Sequence, residues 1–194
     1  MFSKETYIVR RKALKEKVGS GLLLFLGNNL TGMNYADNTY HFRQDSTFLY
    51  YFASDYEGLA AVIDIDNNKE IIFGNELTID DIVWTGVQPT IKEKSERVGI
   101  EEIRPMADLA TYVKAAQAKG QKVHFLPPYR GEHQVWLQEL LGMNPAEQAS
   151  ASSLKFIKAV VAQRNYKSEE EIAQIEDADA CSAGFIPKSS CSHT

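Results

Sequence analysis

Apolar and polar positions alternate along this chain in two rhythms, one helical and one extended. Tyr7, Arg11, Leu14 and Val18 fall on one helical stripe, so a helix capped by Ser3 is predicted as far as Val18, with Gly19 and Gly21 stopping it. The continuous apolar run 22–26 (LLLFL) then reads as a strand covered on both faces. Residues 58–64 and 69–73 read as an antiparallel hairpin turned by Asp66, Asn67 and Asn68. Thr78 caps a short helical turn over 79–84 closed by Gly86, and a second short helix is predicted within 89–98, before Gly99. A short strand at 100–103, a helix at 108–119, a strand at 122–126 ended by Pro127 and Pro128, and a helix at 132–141 follow. Residues 154–162 carry Leu154, Ile157, Val160 and Val161 at helical spacing. Strands alternating with helices, plus one hairpin, predict an α/β three-layer domain with a mixed β-sheet flanked by helices.

Ser168 and Glu171 form a capping-box signature that opens a further helix through Ile172 and Ile175. From about Ala180 the text changes to CSAGFIPKSSCSHT, which has no helical period. The expected organisation is therefore a domain over 1–163, a linker and first helix over 164–180, and a flexible or truncation tail over 181–194.

The stretch 37–52 (DNTYHFRQDSTFLYYF) mixes Asp37, His41, Arg43, Gln44 and Asp45 with six aromatic rings. An arginine set among rings can stack its guanidinium while bonding a carboxylate, which predicts a structural loop built on Tyr40, Arg43 and Asp45. Asp45 and Ser46 also read as a helix start.

Composition narrows the function classes. The chain has 194 residues, of which 44% are hydrophobic, enough for a sizeable core. A formal charge of -5 leaves no basic field for phosphate backbones, which argues against a nucleic-acid partner. No apolar run approaches the ~20 residues that span a bilayer, and the opening MFSKETYIVRRK lacks a signal's apolar region, so no membrane partner and a cytoplasmic location are expected. Two cysteines, Cys181 and Cys191, support no disulfide framework or Cys-rich zinc site.

Other chemistry-bearing patterns read as structural. Asp64 and Asp66 sit where the hairpin turns, with side chains on opposite strand faces, which favours a turn over a metal pair. His41, His124, His133 and His193 show no ligand spacing, and His124 within a strand reads as a satisfied core or edge residue. No Gly-x-Ser-x-Gly elbow occurs, and Gly27-Asn28-Asn29 lacks a dinucleotide-binding glycine pattern. Trp84, taken alone, reads as core.

Four segments, in order, resemble the N-terminal domain of Xaa-Pro aminopeptidases (aminopeptidase P), of the creatinase and prolidase group. They are Arg10-Arg11-x-x-Leu14 with the following strand; Tyr40, Phe42, Arg43, Gln44, Ser46 and Phe48; Gly58-Leu59-Ala60-Ala61 with Ile82-Val83-Trp84-x-Gly86; and Arg164-x-x-Lys167-Ser168-x-x-Glu171-Ile172. His41 departs from the family's usual proline, and Ala53-Ser54 from a common Thr-Gly.

The resemblance implies a ribonuclease-H-like α/β domain preceding a pita-bread metallopeptidase domain. In such enzymes two bridged metal ions, often manganese, activate water to release an N-terminal residue that precedes proline. Their Asp, His and Glu ligands lie in the C-terminal domain, so no catalytic or metal-ligating residue, and no cofactor, is expected in this chain, which should be inactive alone. The family's N-terminal domain makes subunit contacts and lends residues to a substrate cleft. By position, Asp37 resembles its acidic residue near the substrate amino terminus and Trp84 its cleft-lining tryptophan. The expected partners are Xaa-Pro peptides, for the full enzyme, and further copies of the chain. The alternative from a different class is a stand-alone peptide- or protein-binding module without hydrolase activity.

Overall fold

A computed structural model describes residues 2–183. Helix α1 (Lys4–Val18) is capped by Ser3 and ends on Gly19 at φ 83°, a left-handed conformation that glycine adopts without strain. β1 (Leu22–Leu26) follows, then a small hairpin of β2 (Gly32–Tyr35) and β3 (Asn38–Thr39), and α2 (Ser46–Phe52). β4 (Ala60–Asp64) and β5 (Lys69–Phe73) form the expected antiparallel hairpin. Then come α3 (Ile79–Thr85), α4 (Ile91–Glu96), β6 (Glu102–Arg104), α5 (Asp108–Ala118), β7 (Val123–His124), α6 (Gly131–Leu141), α7 (Pro145–Ala151), α8 (Leu154–Arg164) and α9 (Glu169–Ala183).

The main sheet runs β6-β5-β4-β1-β7, antiparallel at β1–β4 and β4–β5, parallel at β1–β7 and β5–β6. Its strands alternate between two cores with the period of two that a pleated strand imposes. Leu23, Phe25, Ala61, Ile63 and Ile72 face α1, α2, α4 and α8. Leu22, Leu24, Val62, Ile71 and Phe73 face α5 and α6. Those two faces explain why β1 reads as unbroken apolar text and why the domain has three layers. On the first face Phe25 meets Phe52 at 5.0 Å and Phe156 at 5.1 Å, both edge-on, an arrangement that contributes about 0.5–1.5 kcal/mol per pair beyond area burial.

The structure corrects the sequence reading at several places. On α8 the buried side chains are Phe156, Ala159 and Val160, while Leu154 and Val161 are exposed. The helix is turned so that this stripe meets α1, and the next position on it, Gln163, receives the Tyr51 hydroxyl at 2.5 Å and donates to Arg10 O at 2.9 Å. β6 lies two residues later than expected at its start, because Ile100 packs in the core at the end of α4. β7 pairs over two residues only: as an edge strand it has one neighbour, β1. The β2–β3 hairpin and α7 carry no strong periodicity and were not foreseen. α9 continues to Ala183, past the expected break at Ala180, and the remainder of the expected tail lies outside the described residues. Its capping box forms as read, with Ser168 N donating to Glu171 Oε2 at 2.9 Å and Glu171 N to Ser168 Oγ.

Candidate functional site

The segment that follows β1 is anchored by one side chain. Gln44 is 1% exposed; its Oε1 accepts the amides of Asn28 (2.6 Å) and Asp45 (2.9 Å), and its Nε2 donates to Tyr56 O at 2.6 Å. Gly27 is required beside it, because a Cβ there would lie 2.5 Å from Leu59 O. Asn28 Nδ2 donates to Arg43 O and to the Tyr129 hydroxyl, so the loop is tied to the segment preceding α6.

Asp45 caps α2 as expected: its Oδ1 accepts the amides of Thr47 and Phe48. The expected Arg43–Asp45 pair does not form among the described residues. Asp45 uses its carboxylate on the helix amides, and Arg43 is an exposed side chain beside the same loop. The arginine nearest a ring of this stretch is Arg10, whose guanidinium lies 4.0 Å from the Tyr50 ring centroid, with Arg164 at 5.9 Å from the same ring. Tyr40 is exposed and lines a small crevice of about 290 Å³ with His41, Arg43 and Arg130.

Asp37 lies in the exposed turn between β2 and β3. The hairpin is rooted by Arg130, which donates to Asn29 O and Thr31 Oγ1, and by Glu132, which accepts the Asn29 amide at 3.0 Å. Trp84 lies on α3, whose Thr78–Asp81 capping box is complete, and it is 87% exposed rather than core. Ile79, Val83 and Val87 are also exposed, so α3 and the segment just after it present an apolar face uncovered among the described residues.

Three further groups are polar but structural. Asp64 accepts from Asn67, Tyr112 and Gln121; burial alone would raise its pKa, but these hydrogen bonds together hold it below the usual carboxylate range. Asp66 accepts the Gly21 amide, which bears out the turn reading of the Asp-x-Asp. Buried His124 contacts Ser153 Oγ at 2.6 Å and buried His133 donates from Nε2 to Gly27 O at 2.9 Å; burial lowers both pKa values. Among the described residues no three His, Cys, Asp or Glu side chains are grouped to hold a metal ion. The described residues do not fit a metal centre. No helix among them is long and apolar enough to cross a membrane.

A cavity of about 630 Å³ lies under α3 and α4, and another of about 620 Å³ lies between α2 and the segment 125–133. The sequence reading missed the second cavity, because its walls come from segments about 80 residues apart that no local pattern links.

This is a three-layer α/β domain with a polar anchored loop and a protruding apolar helix. The sequence pattern of the family described as aminopeptidase P, N-terminal domain, matches residues 7–125, and the chain belongs to that family. A protein of Metarhizium acridum described as "Probable Xaa-Pro aminopeptidase" is 26% identical over 176 residues, covering 89% of this chain and 33% of that protein. Aminopeptidase P from E. coli in its low-pH form superposes with a TM-score of 0.71 at 21% identity, over 89% of this chain and 41% of that one. The same enzyme with the inhibitor Pro-Leu gives 0.70 at 22% identity, and both likenesses show the fold. The chain spans about a third of the length of the curated relatives it matches.

Proposed function

We propose that this chain serves as the non-catalytic N-terminal domain of a metal-dependent Xaa-Pro aminopeptidase, making subunit contacts through α3 and lending Asp37 and Trp84 to the substrate cleft of the full enzyme. The observation that carries the reading is the exposure of Trp84. A tryptophan normally buries most of its surface, and one that stands in solvent among Ile79, Val83 and Val87 leaves a large apolar area without a partner. A second copy of the chain is the occupant proposed for that face, and the indole is the surface offered to a prolyl ring or a substrate ammonium. Asp37, on an exposed turn, is the carboxylate offered to a peptide amino terminus. Family membership supports the reading. Two manganese or similar divalent ions are proposed for the full enzyme, outside this domain.

Sedimentation of the purified chain against Trp84→Ala tests the interface. Trp84 is exposed, so the substitution leaves the core intact, and self-association should weaken by roughly tenfold or more, as for an aromatic anchor. A wild type that stays monomeric at all concentrations, or a variant that associates equally well, contradicts it.

A further inference from the structure

β1 and β7 are parallel neighbours, and the crevice of about 620 Å³ opens beyond their carboxyl ends, where Leu26, Phe125 and Leu126 are among its lining residues. Such crevices are where open α/β sheets bind ligands, and this volume suits a molecule of about dipeptide size. Its polar walls hold three guanidiniums, those of Arg43, Arg130 and Arg164, against a single carboxylate, Asp45.

Arg130 is paired with Glu132 at 3.0 Å. Arg43 and Arg164 have no carboxylate partner among the described residues; Arg164 donates only to Thr47 Oγ1, at 3.1 Å, and faces the Tyr50 ring at 5.9 Å. Asp45 is engaged with the α2 amides. Set against Asp45, the two unpaired guanidiniums leave the equivalent of one uncompensated positive charge, within a protein whose formal net charge is -5. That local excess suits a monoanion, and a guanidinium fork matches a carboxylate bidentately. The remaining wall, Phe125, Leu126, Pro127 and Leu137, is apolar.

We propose that this crevice binds a small monocarboxylate with an apolar body, the carboxylate held by Arg43 and Arg164 and the body resting on Phe125, Leu126 and Pro127. The site shares no residue with Asp37 or Trp84, so it stands or falls independently of the role proposed above.

Calorimetric titration of the purified chain with N-acetyl-leucine and with its uncharged amide, N-acetyl-leucinamide, tests this. The acid should bind saturably, the amide roughly tenfold more weakly or worse, and added salt should weaken the acid. Arg43→Gln and Arg164→Gln should each reduce acid binding by about tenfold. Arg164 also supports Thr47, so if Arg164→Gln lowers the melting temperature, Arg43→Gln, on an exposed side chain, decides the matter. No saturable binding, equal affinity for acid and amide, or unchanged affinity in Arg43→Gln overturns the proposal.

Discussion

Arg11 Nε lies 2.6 Å from Glu70 Oε2, joining α1 to β5 inside the domain. The Arg11 side chain is fully buried, and its other nitrogens donate to Tyr51 O at 3.0 Å and Val98 O at 2.7 Å. One guanidinium thus ties together α1, strand β5, the end of α2 and the segment just after α4. Lys15 Nζ reaches the second oxygen of Glu70 at 2.8 Å.

Removing this guanidinium should be among the costliest single changes in the domain. Arg11→Ala leaves two buried carbonyls without donors and opens a cavity, so a loss of about 3–5 kcal/mol is expected. For a domain of this size that lowers the melting temperature by roughly 6–20 °C. A fall of under about 2 °C in calorimetry contradicts the role given to Arg11.

Gln44 should behave similarly on a smaller scale. Gln44→Ala strands the Asn28 and Asp45 amides and the Tyr56 carbonyl, at an expected cost of about 2–4 kcal/mol. Gln44→Glu keeps the acceptor and loses the donor, so chemical denaturation should rank it between alanine and wild type. Equal midpoints for all three contradict the anchoring role.

Asp45→Ala removes the α2 cap and should cost about 1 kcal/mol by the same measurement. A loss as large as that of Gln44→Ala would mean that Asp45 does more than cap.

The histidines predict the acid limb of stability. Burial holds both imidazoles below the ordinary value of 6.5, so the unfolded chain takes up protons that the folded chain refuses. Stability from this source is present above 6.5 and is lost as pH falls below it, by at most ~1.4 kcal/mol per pH unit for each histidine. Urea midpoints between pH 8 and pH 5 should decline for wild type and decline less for a His124→Gln, His133→Gln double variant. Parallel declines contradict it.

Much of the architecture was legible because its signals are local. The α1 stripe of Tyr7, Arg11, Leu14 and Val18, the unbroken β1 run and the turn at Asp66, Asn67 and Asn68 each decide an element within a few residues. α8 misled because Leu154 and Val161 compete with Phe156 and Ala159 for the buried face, and only the packing partner, α1, chooses between them. The Arg43–Asp45 reading failed for a related reason: a charge pair adjacent in sequence is easy to see, while the buried amide of Gln44 finds its partners at Asn28 and Tyr56, 16 and 12 residues away. Arg43 and Arg164 share the walls of one crevice only because the fold brings α8 back across α2.

The measurement that bears most directly on the proposed role is hydrolysis of an Xaa-Pro tripeptide by the purified chain with manganese added. Release of the N-terminal residue should not exceed that of a protein-free control, because in the proposed role the metal ligands and the reacting water belong to a different domain. Release that scales with protein concentration and stops on addition of a chelator would contradict the assignment of this chain as a non-catalytic domain.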